Sequence, residues 1–213
     1  MIIQLHKLQP AYLSATHLNQ SEVWQHDLTF TAPEGILLWG PSGQGKSSLL
    51  RILFGLEGKY TGEVRIDGQF ITSQAHRIWP KIRNRKLSFV PQDFQLFEGE
   101  SGWKNLDYLP LVAEGIDRAL LQQWSERLGI DSLLDRTPET WSYGQRQRFC
   151  VLRALAKPFQ WIFLDEPVSH LDPESSRNTL DLILSECERR QAGWILTQQT
   201  PDSTLPIGRT LRV

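Results

Sequence analysis

The chain has 213 residues, 40% of them hydrophobic and 22% charged, a composition that supports one globular domain, or one domain with a small inserted lobe. Its formal net charge of −1 argues against general electrostatic attraction to nucleic acid or anionic membrane. No apolar run approaches the roughly eighteen residues of a membrane span, and the opening Met1-Ile2-Ile3-Gln4-Leu5-His6-Lys7 lacks the basic stretch and long apolar core of a signal peptide.

The first 33 residues read as strands joined by turns. Ile2–Leu5 begins one strand, and Trp24–Thr31 alternates as a second, with Leu28 and Phe30 inward, stopping at Pro33-Glu34-Gly35. Tyr12 lies 34 residues before Lys46. From such a sheet Tyr12 can stack on an adenine ring, and Trp24 competes for the role; either can equally be an ordinary core or surface aromatic. The apolar run Ile36–Trp39 then leads into Gly40-Pro41-Ser42-Gly43-Gln44-Gly45-Lys46-Ser47, and a helix follows at Ser48–Phe54. This fits the phosphate-loop pattern G-x-x-x-x-G-K-[ST] in the strand-to-helix setting the motif requires. The glycines let the backbone turn its N–H groups toward phosphate oxygens, and the helix N-terminus adds the positive end of its dipole. Lys46 supplies a point charge for the β- and γ-phosphates, the Ser47 hydroxyl is placed to ligate Mg²⁺, and Ser48 continues the cradle. These residues predict that a nucleoside triphosphate is bound.

Gly55 to Gly62 and then Glu63–Gln69 read as a glycine-punctuated hairpin. Arg77 to Lys86 carries five Lys/Arg in ten residues, a solvated helix face or, alternatively, a nucleic-acid patch. Leu87–Val90 is a short buried-type strand stopped by Pro91, so Gln92 lies at a strand carboxyl end, where open parallel sheets hold ligands. From Ser101 to about Leu155 the pattern turns helical, with Leu120, Leu121, Trp124 and Leu128 on one face and a polar break at Thr137-Pro138-Glu139. Trp161–Leu164 is a buried strand that delivers Asp165 and Glu166 at its carboxyl end. Asp165 suits the Mg²⁺ partner of Ser47 and Glu166 a base that polarises the attacking water, with helix capping as the alternative. Asp172 and Pro173 start a helix whose face is Leu180, Ile183, Leu184 and Cys187. Trp194–Thr197 and Arg209–Val213 are the last strands. Cys150 and Cys187 lack metal-ligand spacing and read as small core residues of a reducing compartment. The eight tryptophans form no repeat and read mostly as core or interface anchors.

The succession is phosphate loop, strand-Gln92, Trp141-Ser142-Tyr143-Gly144-Gln145, Leu164-Asp165-Glu166-Pro167, Ser169-His170-Leu171-Asp172, and a strand ending Thr197-Gln198. Over essentially the whole chain it resembles the nucleotide-binding domain of ABC transporters. Trp141 to Gln145, followed by Gln147-Arg148 and Arg153-Ala154-Leu155, separates this resemblance from other P-loop ATPases. Trp79 to Lys86, Phe89 to Leu96 and Gly102 to Leu106 are most similar to the lipoprotein-releasing, macrolide-export and cell-division subgroup. The resemblance implies an α/β fold: a P-loop NTPase core with a mostly parallel sheet and flanking helices, an N-terminal antiparallel β-subdomain and an inserted helical lobe. Residues 1–213 would form one such domain, with the core at about 1–90 and 156–213 and the lobe at about 95–155.

The resemblance also implies roles. The loop, Lys46 and Ser47 would bind ATP phosphates and Mg²⁺, and Gln92 would touch Mg²⁺ or the water and move with a membrane partner. Ser142, Tyr143, Gly144 and Gln145 would be the signature that faces ATP on a second ATP-binding subunit, identical or not. Glu166 would be the catalytic base, Asp172 would close across the dimer, and Gln198 would occupy the place of the family's switch histidine. The chain would be a cytoplasmic ATPase subunit on the inner face of the membrane, paired with separately encoded permease subunits and with no direct nucleic-acid contact. An ATP-gated regulatory dimer and a soluble ABC ATPase acting on nucleic acid are the other readings. Two departures bear on turnover. In the signature, Tyr143 stands where the family has a close-approach glycine, and Trp141 where it has leucine. The second, Gln198, can donate a hydrogen bond but carries no imidazolium charge. Loss of one charge-stabilising donor costs ~10²–10³ in rate, so hydrolysis is expected to be weak or partner-dependent. Phe94, Leu96, Phe97 and Trp103 make the segment after Gln92 apolar for a loop, which suits either a groove for a permease helix or ordinary lobe packing.

Overall fold

The computed structural model describes residues 1–13, 18–71, 75, 77–109, 112–201, 205 and 207–213. In chain order the elements are β1 (Ile2–Pro10), β2 (Leu28–Thr31), β3 (Gly35–Trp39), α1 (Lys46–Leu53), β4 (Tyr60–Ile66), β5 (Gln69–Phe70), α2 (Trp79–Arg85), β6 (Leu87–Val90), α3 (Gly102–Asp107), α4 (Arg118–Arg127), α5 (Tyr143–Ala156), β7 (Trp161–Asp165), α6 (Pro173–Arg190), β8 (Gly193–Gln198) and β9 (Arg209–Arg212). Short 3₁₀ turns lie at Asp131–Leu133 and Pro138–Thr140.

Strands β3, β7 and β8 are apolar along nearly their whole length because both faces of their sheet are covered. Their sheet runs β6-β7-β8-β3-β9, with every pairing parallel. Alternation along each strand divides the side chains between two cores. Leu37, Ile162, Leu164 and Leu196 join the helical block and α6, where Phe149, Leu152 and Ile183 are fully buried. Ile36, Leu38, Phe163 and Ile195 face α1 and the second sheet. That sheet is antiparallel, in the order β2-β1-β4-β5. Trp161 ties the two sheets together, donating from Nε1 to the Met1 carbonyl at 3.2 Å while its ring fills the space beside Gly193.

Parallel pairing brings the functional strand ends to one edge. Trp39 lies opposite Gln198, and Asp165 opposite Thr197. The fold is therefore the expected α/β arrangement of a P-loop core, an antiparallel β-sheet and helices between β6 and β7.

Two local expectations change and one is met. The second strand spans only Leu28–Thr31, because Gln25 takes φ 64 and Trp24 turns into the core. The acidic strand ends at Asp165 with Glu166 at φ 48 just beyond it, which meets the expectation of two acids at a strand carboxyl end. The helical pattern from Ser101 to Leu155 breaks into α3, α4, two 3₁₀ turns and α5, and 110–111 within it lie outside the described residues. The basic stretch forms α2, which buries Trp79 and Ile82; Arg83 reaches the Gly55 carbonyl and Lys86 pairs with Asp67. Six tryptophans (24, 79, 124, 141, 161, 194) are buried, as core anchors require. Cys150 and Cys187 are buried free thiols, pushed up to about 11 and about 12 by loss of solvent.

Candidate nucleotide site

The phosphate loop leaves β3 at Gly40 and re-enters helix at Lys46, as the sequence pattern requires. Gly45 has φ +93, and a side chain there would meet the Trp24 ring at 2.9 Å. Only glycine serves both conditions. Trp24 is fully buried beneath the loop and donates from Nε1 to the Gln44 carbonyl at 3.0 Å. It is the loop's support and is not free to stack on a base. Tyr12 is 58% exposed, its hydroxyl meets that of Ser48, and it borders the same cavity as the loop.

That cavity, about 210 Å³, is lined by Tyr12, Ser42, Gly43, Gly45, Lys46, Ser47, Ser48, Gln92, Glu166 and Gln199. Lys46 is 5% exposed and folds back to donate to the Gly40 and Pro41 carbonyls at 2.6 and 3.0 Å. Burial lowers its pKa, while Glu166 and Asp165 oppose that shift. An anion entering the loop would stabilise the ammonium further.

Asp165, 4% exposed, accepts on Oδ1 from the Ser47 hydroxyl at 3.0 Å and from the Thr197 hydroxyl at 2.8 Å. Thr197 in turn accepts the Glu166 N–H at 3.0 Å. The positive φ of Glu166 is held through its carbonyl, which receives Gln147 Nε2 at 2.8 Å and Ser169 Oγ at 3.1 Å. The strained turn lifts the Glu166 carboxylate off the strand toward the loop, a use of backbone strain common at reactive sites. Thr197 and Gln147 escaped the sequence reading. The available signal for Thr197 was a hydroxyl closing an otherwise apolar strand beside the acidic one.

Ser47 and Asp165 present hard oxygens of the kind Mg²⁺ takes when phosphates and water complete its shell. Among the described residues no group of three or more His, Cys, Asp or Glu could hold a metal by itself, so a nucleotide would have to supply ligands.

The signature residues lie apart from this cavity. Ser142 and Gln145 form a reciprocal capping box at the head of α5: Gln145 N–H donates to Ser142 Oγ at 3.3 Å, and Ser142 N–H to Gln145 Oε1 at 2.8 Å. Gly144 packs so closely on Leu171 that a Cβ would sit 3.0 Å from it. The Tyr143 ring lies between Phe94, at 4.7 Å, and His170, at 4.4 Å. It is folded onto loops of its own subunit, which is how the chain accommodates a side chain at that position. Arg153 adds two bonds to the Phe94 and Gln95 carbonyls, so the segment after Gln92 is fastened to α5. Asp172 caps α6 through Ser175 N–H at 2.9 Å, which lowers its pKa.

Gln198 lines a separate hollow of about 560 Å³ on the far side of Glu166, whereas Gln199 borders both. Another hollow, about 290 Å³, lies between the sheet edge and the helical block, lined by Phe54, Leu56, Phe89, Phe97, Tyr108 and Lys157 among others. Phe97 is 54% exposed there, edge-on to Tyr108 at 4.8 Å. Phe94 and Leu96 instead pack on the core, and Trp103 lies under Arg118.

A glycine loop over a helix N-terminus, a buried lysine and two acids at a neighbouring strand end define a P-loop nucleotide-binding protein. The ABC transporter family model matches residues 24–169; the chain belongs to that family and is an ABC-type ATP-binding protein and ATPase. It is 32% identical over 97% of its length, and 85% of the relative's, to the thiamine import ATP-binding protein ThiQ of Photobacterium profundum. It is 31% identical over 88% of its length to the macrolide export ATP-binding/permease protein MacB of Marinobacter nauticus, but covers 29% of that protein. The fold is similar to a dimeric structure of the ATP-binding cassette MJ0796, described as a bacterial ABC transporter cassette, with TM-score 0.76, 25% identity and coverage of 92% and 87% of the two chains.

Proposed function

We propose that this chain is the ATP-hydrolysing subunit that drives a separately encoded membrane permease from the cytoplasmic face, working as one of a pair of cassettes. The observation that supports it is the division of the site. Lys46, Ser47, Gln92 and Glu166 converge on one cavity with Asp165 behind Ser47, while Ser142 to Gln145 lie elsewhere on the same chain. A second copy or a related subunit would bring its signature helix over the first cavity, so ATP would join the two. ATP favours the closed pair through contacts that the open state lacks.

In this reading the loop amides and Lys46 hold the phosphates, and the Glu166 carboxylate accepts a hydrogen bond from the attacking water. Ser47, Asp165 and Gln92 would hold Mg²⁺, which supplies charge neutralisation on the phosphates when bound. Among the described residues no helix is long and apolar enough to cross a membrane, so the permease would have to be another chain or segment. Its cytoplasmic helix would dock in the hollow at Phe97 and Tyr108. A second reading, an ATP-gated dimer with little turnover, is favoured by the neutral Gln198 that ends β8 and by Tyr143 in the signature.

Detergent purification of the tagged protein with ATP tests the first reading. A polytopic membrane protein should accompany it, and Phe97→Glu should release that partner while ATP affinity is retained. Recovery of nucleic acid instead, or loss of nucleotide binding in Phe97→Glu, would overturn it.

A further inference from the structure

The turn after β7 is held by a chain of contacts that begins at an imidazole. The Glu166 carbonyl accepts from Gln147 Nε2 at 2.8 Å, from Ser169 Oγ at 3.1 Å and from the Ser169 N–H at 3.3 Å. Ser169 Oγ also lies 2.9 Å from His170 Nδ1. A hydroxyl has one proton to give, and a carbonyl can only accept. Both contacts of Ser169 Oγ are therefore hydrogen bonds only if its proton goes to Glu166 and His170 Nδ1 donates its own proton to Ser169 Oγ. The imidazole packs in turn on the Tyr143 ring, with centroids 4.4 Å apart and planes tilted by 56°, and Phe94 meets that ring at 4.7 Å. Tyr143 is the first residue of α5, and Gln147 lies about one turn further along it. One helix thus reaches the Glu166 turn twice, directly through Gln147 and indirectly through Tyr143, His170 and Ser169.

We propose that His170 is a positioning residue for hydrolysis: in its Nδ1–H form it locks the Ser169 hydroxyl onto the Glu166 carbonyl and so keeps the Glu166 carboxylate aimed at the phosphate cavity. The inference rests on the reading of Glu166 as the base. Glu166 stands at φ 48, where a residue other than glycine is strained, and the bonds to its carbonyl are what hold it there. His170 is not among the residues that line the phosphate cavity. Its loss therefore disturbs the aim of the base and leaves the grip on the phosphates intact. Tyr143, by holding the imidazole, gains a use within its own subunit.

The test compares His170→Phe, which keeps a ring on Tyr143 and removes the donor, with His170→Asn, whose side-chain NH₂ can stand in for Nδ1–H. In hydrolysis of ATP with Mg²⁺, His170→Phe should lower kcat about tenfold and leave KM and ATP affinity unchanged, because a misplaced base slows the chemistry and not the binding. His170→Asn should restore most of the rate that His170→Phe loses. The nucleotide-free protein gives an independent readout. Imidazole nitrogen NMR shifts at alkaline pH should place the His170 proton on Nδ1 in wild type, and Ser169→Ala should release it to Nε2. The proposal is overturned if His170→Phe turns over as wild type, if its loss falls on ATP affinity instead of kcat, or if His170→Asn is as slow. It is equally overturned if the wild-type proton sits on Nε2, or stays on Nδ1 in Ser169→Ala. Glu166→Gln separates the two readings: unchanged hydrolysis in that variant refutes Glu166 as the base, whatever His170 does.

Discussion

Replacing Trp24 by Phe separates the loop's support from its packing. The indole is fully buried, and its Nε1 donates to the Gln44 carbonyl at 3.0 Å, directly under Gly45. Phe keeps an aromatic ring but removes that donor. The lost hydrogen bond is worth about 1 kcal/mol. The smaller ring leaves a gap of roughly 40 Å³, which at about 24 cal/mol per Å³ adds about 1 kcal/mol. The total, about 2 kcal/mol, lowers Tm by roughly 4–8 °C in a domain of this size. The hydrogen-bond share falls on the loop itself, so ATP affinity should fall about fivefold. Thermal denaturation without nucleotide and equilibrium titration with Mg·ATP measure the two shares separately. A fall in Tm with unchanged ATP affinity would refute the reasoning, because it would make Trp24 a core residue that does not shape the loop.

Tyr143→Ala removes a ring that touches both Phe94 and His170, and aromatic contacts of this kind are worth about 0.5–1.5 kcal/mol. Hydrogen exchange at residues 94–97 and 168–171 should quicken by up to about tenfold, while Tyr143→Phe exchanges as wild type; equal loosening in both variants would show that the hydroxyl matters instead. Lys157 has its pKa lowered to about 8, chiefly by burial and then by Arg153 and Arg83. Its folded pKa lies below its unfolded value, so between about pH 8 and 10.5 the unfolded chain binds the extra proton and stability from this group rises with pH. Lys157→Met should therefore be more stable than wild type at pH 7.5 and lose that advantage by pH 10. A difference in Tm that does not change with pH would contradict this.

The phosphate loop, the Asp165-Glu166 pair and Gln92 were legible in the sequence because each depends on local chemistry at a strand end. Glycines, a lysine and a hydroxyl in fixed spacing identify the loop wherever it sits, and two acids closing an apolar strand have no packing role. The cap at Asp172 follows from an equally local rule, whereas β1 runs on to Pro10, past the Ile2–Leu5 start marked in the sequence, and the capping box at Ser142 and Gln145 emerged only with the structure. Trp24 was not legible, since an aromatic in a turn reads the same whether it stacks on a base or supports a loop. Burial beneath Gly45 decided it.

Strand pairing decided the rest. The parallel register that sets Thr197 opposite Asp165 joins residues 32 positions apart, and the Ser47 contact joins residues 118 apart. The same pairing ends β8 at Gln198, opposite Trp39 of β3. Tyr143 reads as an obstacle in the sequence, and only the tertiary packing of α5 on the loops at Phe94 and His170 shows where its ring goes. The sequence by itself determined the phosphate-loop pattern and the acidic strand end, because that chemistry is written within short segments. Which neighbouring residues complete the site was fixed only by the tertiary structure, because they meet through pairing and burial between segments far apart in the chain.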